Sequence, residues 1–263
     1  TPPGKDGDKI SFVLYPHPKL KHSFLAKLDS RAMLSEMSWE EVKKSFIKDS
    51  NLPGGFSKEI TDFVEKQHTP TAKDLKGRVD YRSLPILCID PVGAEDHDDA
   101  VSVEILSDGY RLGVHIADVS HYVPEGSALD SEALSRSYTQ YLPWTAIPML
   151  PEKLSGDLCS LHEGVDRLAF TCMMRLNKKG EVQSYEFQKS VVHVKAAISY
   201  GKAMELLAEK DVDILSLATV ARLLRANREK NGILELSGKE YGCEFDENGE
   251  PGCLVARENV ESN

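Results

Sequence analysis

The chain has 263 residues, 41% of them hydrophobic, with a formal net charge of −10. That is enough apolar material to bury a substantial core in one large domain or two smaller ones, and no apolar run approaches the roughly 20 residues that would cross a bilayer. The five cysteines (Cys88, Cys159, Cys172, Cys243, Cys253) are odd in number and far apart, with no Cys-x-x-Cys pair, which argues against a disulfide framework or a zinc site and for partly or fully buried thiols in a reducing, cytoplasmic compartment.

The first residues are polar, lack the hydrophobic region of a signal peptide and are expected to fray. A short strand is predicted over Ile10 to Tyr15 before Pro16 and Pro18 interrupt it. Ser38-Trp39-Glu40-Glu41 has the form of a capping box opening a helix on which Trp39, Val42 and Phe46 share one face, and Trp39 and Phe46 are expected to be core residues. Asn51-Leu52-Pro53-Gly54-Gly55 ends that helix, and Ser57 caps a second one carrying Ile60, Phe63 and Val64. Residues 1–76 therefore read as a helical lead-in.

Leu84 to Ile89 is a continuous apolar run of strand length, and Ala100 to Ile105 alternates with period two. Between them Asp90-Pro91-Val92-Gly93-Ala94-Glu95-Asp96-His97-Asp98-Asp99 crowds four aspartates and a glutamate into one loop. Pro91 and Gly93 suit a turn, so Asp90 closes the first strand while Asp96, Asp98 and Asp99 point back at it. Like charges this close raise one another's pKa, and a cation is what ordinarily neutralises such a cluster. Hard oxygen donors suggest Mg²⁺ or Mn²⁺; a solvated acidic turn and a structural Ca²⁺ site are the alternatives the loop leaves open, whereas EF-hand spacing is not matched.

Beyond the loop, Ser107-Asp108-Gly109 is a hairpin turn, and Tyr110 to Ala117 returns as a strand. Ser127 and Asp130 cap a helix from Ala128 to about Thr139 whose Leu129, Ala133 and Leu134 are expected to face inward. Tyr138 to Ser160 is proline-rich and irregular, as a lining loop would be. Arg167 to Leu176 and Glu181 to Val194 alternate around Asn177-Lys178-Lys179-Gly180, a second hairpin, and Asp246-Glu247-Asn248-Gly249 marks a third. Ser199 to Ala208 and Val212 to Lys230 show helical spacing, the latter through Leu215, Ala218, Ala221, Leu224 and Arg228. His115 and His121 beside Asp118 read as hydrogen-bonded strand residues ahead of catalytic ones. Residues 1–89 carry 15 Lys/Arg against 12 Asp/Glu, and the remainder 17 against 30. No basic stripe stands out.

Ile89-Asp90-Pro91 with Ala94-Glu95-Asp96-His97-Asp98-Asp99-Ala100 resembles the signature of the ribonuclease II / ribonuclease R family of processive 3′ to 5′ exoribonucleases. The resemblance extends through Gly77 to Pro85, His115 to Val123, Tyr141-Leu142-Pro143, Ile147 to Pro151 and Leu154 to Leu161, in the family's order. It implies an α+β fold with a mixed, mainly antiparallel sheet and packed helices, acting on single-stranded RNA and releasing nucleoside 5′-monophosphates. It further implies that Asp90, Asp98 and Asp99 ligate Mg²⁺, with Asp96 a direct or water-mediated fourth contributor, and that Tyr141 stacks on a nucleotide near the RNA 3′ end. Asp98 is the residue whose loss should most harm chemistry. The family's catalytic domain continues through long helices, an arginine motif at the scissile phosphate and an S1-type RNA-binding domain, whereas this chain ends at Arg257 to Asn263. Residues 77–263 are therefore expected to be the N-terminal portion of such a domain, and residues 1–76 a remnant of an N-terminal RNA-binding region. A noncatalytic RNA- or protein-binding module with a structural ion is the alternative.

Overall fold

A computed structural model describes residues 12–16, 24–28, 38–50, 52–142, 144–233, 240–247, 249 and 251–257. The expectations for the frayed amino terminus, for the interruption at Pro18 and for the carboxyl-terminal residues 258–263 lie outside the described residues. The chain divides into two compact units, residues 1–53 with 246–250, and residues 54–245 with 251–263. In the first, β1 (Phe12–Pro16) pairs antiparallel with β2 (Phe24–Leu28). α1 (Trp39–Asp49) follows with the predicted capping box, in which Ser38 Oγ accepts from the Glu41 amide and Glu41 accepts from the Ser38 amide at 2.8 Å. The lead-in is thus not wholly helical. Nor does α1 bury any residue fully, and Phe46 is exposed rather than in the core.

The second unit begins with α2 (Lys58–Glu65), capped by Ser57, whose Ile60 and Val64 enter the main core. The chain then builds one sheet from β3 (Val79–Asp80), β4 (Ile86–Asp90), β5 (Asp99–Leu106), β6 (Gly109–Ala117), β9 (Asp166–Asn177) and β10 (Val182–Ser199). β7 (Gln140–Leu142) and β8 (Thr145–Ile147) form a separate small hairpin. Both predicted turns within the sheet are present: Leu106 faces Gly109 across the first, and β9 returns as β10 after the second. β10 is long enough to pair twice. Residues up to His193 run antiparallel to β9, and Val194 onward run parallel to β4, with a bulge between Val194 and Ala196. The pairings β10–β4–β5–β6–β9–β10 therefore form a circuit, leaving only β3 as an added edge beside β10.

Small side chains make that curvature possible. Ala100, Ser102, Ala117, Ala169, Thr171 and Ser190 are all buried on neighbouring strands. A Cβ on Gly113 would stand 2.6 Å from Ser102 Oγ and 2.7 Å from His115 Nε2, so only glycine fits there. α3 (Val119–Tyr122) and α4 (Ala128–Arg136) follow β6, and a π-helical turn, Lys153–Leu158, buries Leu154 and Leu158. In α4, Leu129 and Ala133 point inward as expected, but Leu134 is exposed and Arg136 takes the buried place. That guanidinium lies 4.0 Å over the Phe56 ring and donates to the Gly54 carbonyl at 2.7 Å and the Pro148 carbonyl at 3.2 Å.

α5 (Tyr200–Ala208) and α6 (Val212–Lys230) close the unit, capped by Ser199 and Asp211. α6 lays Leu217, Val220 and Leu224 against Val103, Leu112 and Leu176 of the sheet. The buried stripe is thus rotated from the one its spacing suggested, and Leu215 is exposed. β11 (Glu240–Phe245) and β12 (Pro251–Arg257) form the third predicted hairpin. All five cysteines are free; Cys88 and Cys159 are buried, whereas Cys253 is exposed, against expectation. Among the described residues no helix is long and apolar enough to cross a membrane.

Candidate active site

β4 is deeply buried at Ile86, Leu87 and Cys88 and leaves the core at Asp90, where the acidic loop starts. The loop turns at Pro91 to Ala94, with the Ala94 amide donating to the Pro91 carbonyl at 3.2 Å and Gly93 at φ +83°, a conformation that glycine adopts without strain. Its far end is tied to β6: the Asp98 carbonyl accepts from the Ala117 amide at 2.9 Å, and Asp99 opens β5 opposite Ile116.

The middle of the loop is held by a distant segment. Ser160 Oγ accepts from the His97 amide at 2.9 Å and lies 2.7 Å from the Glu95 carbonyl, to which it donates. The Leu161 amide donates to the His97 carbonyl at 2.9 Å. Ser160 lies two residues past the π-helical turn, and the buried Arg167 fixes it by donating to the Ser160 carbonyl at 2.9 Å and to Asp157 at 3.1 Å. Five backbone or side-chain anchors thus define the loop's path although its residues favour no regular structure.

Four aspartates occupy this frame. Asp90 Oδ2 accepts from His97 Nδ1 at 2.6 Å. Asp96 accepts from the Tyr141 hydroxyl at 3.0 Å. Burial first, then the neighbouring carboxylates of Asp96, Asp99 and Asp90, raises the Asp98 carboxyl above the usual range. Burial and Asp90 raise Asp99 likewise. Asp98 is therefore the carboxylate that feels all three of the others. Beneath them, burial reinforced by Asp90 and Asp99 pushes the Cys88 thiol up to about 12, and burial and Asp98 do the same to Cys159. Both are neutral thiols in the floor of the site and not thiolate ligands.

Tyr141 reaches the loop from β7. It is 71% exposed, so its ring face is open while its hydroxyl is engaged, and that bond to Asp96, with burial second, raises the phenol's pKa. Arg136 anchors the stem of this hairpin at Pro148, after the chain turns out of α4 through Ser137 at φ +69°.

The structure brings together all five residues singled out in the sequence: Asp90, Asp96, Asp98, Asp99 and Tyr141. The donor set fits a hard divalent ion in chemistry, being carboxylate oxygens whose repulsion a cation would relieve. Among the described residues, however, no group of three His, Cys, Asp or Glu is gathered closely enough to hold an ion without movement. His115 and Asp118 lie elsewhere. His115 is fully buried between Ser102 at 3.0 Å and Thr171 at 2.8 Å, and burial lowers its pKa to about 4. Asp118 pairs with Arg78 at 2.5 Å, and His121 lies 3.6 Å from Asp74 on a short helix, not a strand. Sequence reasoning missed His97, Ser160, Arg136 and Arg167. His97 and Ser160 stood inside motifs, but nothing in a linear pattern tells a side chain that bonds Asp90, or one that bonds the loop's backbone, from one that faces solvent.

The RNB domain matches residues 78–263. The chain belongs to the RNB-domain family. Within that family it is 43% identical over 220 residues to ribonuclease R of Thermotoga maritima, covering 78% of this chain and 31% of the relative. It thus spans less than a third of that protein's length. Among solved structures, Mycoplasma genitalium RNase R in complex with ribose-methylated single-stranded RNA aligns with a TM-score of 0.78 at 29% identity, over 83% of this chain and 36% of that one. Yeast Ssd1, a pseudonuclease, shares the fold with a TM-score of 0.62 at 20% identity, over 84% of this chain and 28% of its own. The RNB fold by itself therefore does not decide between a working and a silent site.

Proposed function

We propose that this chain carries the acidic half of the active site of a hydrolytic 3′ to 5′ exoribonuclease that acts processively on single-stranded RNA and releases nucleoside 5′-monophosphates. One observation carries the reading: within an RNB domain, an exposed aromatic ring on Tyr141 is hydrogen-bonded to the edge of a four-aspartate loop. In this reading residues 77–263 form the N-terminal portion of the catalytic domain and residues 1–76 precede it as a lead-in. The remaining helices, an arginine for the scissile phosphate and an S1-type domain belong to the rest of the full-length protein.

Asp90, Asp96, Asp98 and Asp99 would hold Mg²⁺, or Mn²⁺ in its place. A divalent ion bound there supplies charge stabilisation for the phosphoryl oxygens and a nucleophilic water at neutral pH. The chain's own part is to set the carboxylates at the mouth of two strands, with Ser160 and Ala117 fixing the backbone between them. Tyr141 stacks on a base near the RNA 3′ end, a contact indifferent to base identity and worth about 1–3 kcal/mol. Its hydroxyl couples that platform to Asp96, so the base and the carboxylates keep a fixed spacing as successive nucleotides enter.

The test is incubation of the chain with a 5′-labelled single-stranded RNA and Mg²⁺, read on a denaturing gel beside Asp98→Asn and a chelator control. A ladder shortening from the 3′ end, lost in both controls, is the expected result for a sufficient active site. Intact RNA in every lane, together with intact RNA when the full-length protein is used, refutes the assignment. The second reading is a noncatalytic RNA- or protein-binding module with a structural ion in the acidic loop. It requires RNA or protein binding that survives both Asp98→Asn and chelation.

A further inference from the structure

Over its first half, β10 is paired along one side only. β9 runs beside it from Val182 to His193, whereas on the opposite side β3 meets it at Ser190 and Val191. Among the described residues, no strand lies beside Val182 to Lys189 on that second side. Two hydrogen bonds show which groups face the open edge. The Val191 carbonyl accepts from the Tyr81 amide at 2.9 Å, so Val191 turns its backbone toward β3. On β9 the Leu168 carbonyl accepts from the Asp118 amide at 3.0 Å, on the side of β6, which leaves Ala169 to face Ser190 of β10. Backbone direction alternates along a strand, so Lys189, Phe187 and Tyr185 also present their N–H and C=O groups to the open edge. Among the described residues nothing bonds them there.

The outer face beside this edge is apolar. Tyr185 and Phe187 are 62% and 61% exposed. Phe187 stacks on Phe170 of β9, with centroids 6.1 Å apart and planes at 11°, and meets Tyr185 edge-on at 5.6 Å. Ile116, opposite Phe170 on β6, extends the cluster and is exposed too. An unpaired edge flanked by exposed aromatic rings is a template for another strand.

The edge itself limits which strand fits. β3 closes it at Ser190, and the bulge between Val182 and Ser184 interrupts the ladder at the other end. A second copy of the chain, laid antiparallel about a two-fold axis at Phe187, sets Tyr185 against Lys189 of the copy, Glu186 against Gln188 and Phe187 against itself. This register pairs every outward N–H and C=O of Tyr185, Phe187 and Lys189 and opposes no like charges. It also places an ammonium beside a tyrosine ring at each end and joins the two aromatic clusters into one. The neighbouring registers fail. An axis at Glu186 sets carboxylate against carboxylate, one at Gln188 needs the Val191 backbone that β3 already holds, and one at Tyr185 runs Phe187 into the bulge.

We propose that the open edge of β10 from Tyr185 to Lys189 is a homodimer interface, at which two copies of the chain join their sheets through antiparallel β10 strands centred on Phe187. Such a contact uses the same patch on both copies and closes on itself, so it yields a dimer and not a fibre.

Sedimentation equilibrium of the chain, loaded from about 1 μM to about 1 mM, tests this with the parent, Tyr185→Lys, Tyr185→Lys combined with Lys189→Glu, and Phe187→Pro. The parent should show a monomer–dimer equilibrium with no larger species. Tyr185→Lys sets the introduced lysine against Lys189 of the copy at both ends and should raise the dimer Kd about tenfold or more. Adding Lys189→Glu makes both contacts opposite-charge pairs and should return Kd to within about threefold of the parent. Phe187→Pro removes the central outward N–H, which the β9 ladder does not use, and should abolish the dimer. Circular dichroism and thermal unfolding identify a damaged fold; if the proline variant is damaged, the charge variants decide, since Tyr185 and Lys189 are both exposed. A parent that stays monomeric throughout overturns the proposal and leaves the edge to a strand from another protein. A dimer indifferent to Tyr185→Lys, or not restored by Lys189→Glu, overturns this interface, and growth beyond the dimer overturns the closed arrangement.

Discussion

Removing Arg78 tests the link between the sheet's edge and the end of β6, to which the far end of the acidic loop is tied. Arg78 and Asp118 have side chains 6% and 2% exposed and meet at 2.5 Å. The same guanidinium donates to the Asp74 carbonyl at 3.1 Å, the Ser190 carbonyl at 3.3 Å and the Ala169 carbonyl at 3.4 Å. In Arg78→Met the Asp118 carboxylate keeps Ser120 Oγ at 2.6 Å but loses its ion pair with the guanidinium. An uncompensated buried charge of this kind costs about 3–5 kcal/mol, which for a chain of this length corresponds to a fall in Tm of roughly 6–20 °C. The pH dependence supplies a second check. Burial raises the Asp118 carboxyl, but the bonds from Ser120 and Arg78 outweigh it, so its pKa in the fold lies below the ordinary value. Its contribution is therefore present above the unfolded carboxylate's pKa and is lost as pH falls through the folded one. Without Arg78 the sign reverses, because protonation then relieves a lone buried charge. Urea denaturation of parent and variant from pH 7 down to pH 4 should give a deficit of several kcal/mol that narrows with acidity. A deficit under about 1 kcal/mol, or one that stays constant with pH, would refute the reasoning.

The buried His115 makes stability fall as pH drops from its unfolded pKa of about 6.5 toward its folded value of about 4, a loss approaching about 3 kcal/mol; in His115→Gln that slope should vanish, which urea titrations across this window will reveal. Tyr141→Phe should retain most RNA affinity, having kept the ring, whereas Tyr141→Ala should lose about 1–3 kcal/mol, a five- to 150-fold rise in Kd by fluorescence anisotropy. Because Asp98 is raised by burial and by three carboxylates, ionising it works against the fold without an ion. Asp98→Asn should therefore leave the chelated protein equally or slightly more stable, by no more than about 1 kcal/mol given its exposure to solvent, and a clear fall in Tm would contradict the repulsion argument.

Turns were legible because their chemistry is local. Asp108-Gly109 and Asn177 to Gly180 close hairpins where the strand pattern on either side demands it. The capping serines Ser38, Ser57 and Ser127 were readable for the same reason. Helical faces were less secure. Leu134, Leu215 and Phe46 are apolar and spaced like buried residues, yet all three are exposed, since which edge of an apolar stripe is covered depends on the neighbour that arrives. The double pairing of β10 had no sequence signal, because alternation is the same whichever strand lies alongside.

The site divides in the same way. The sequence by itself determined where negative charge is concentrated: five carboxylates in ten residues, between two strands, crowd together whatever surrounds them. The tertiary structure decided how those groups are held. His97 finds Ser160 across 63 positions of the chain, and Tyr141 finds Asp96 across 45. Only the folded sheet brings such partners within hydrogen-bonding distance, because a bond of about 3 Å between residues so far apart in sequence exists only once the entropy of closing the chain between them has been offset by the core beneath.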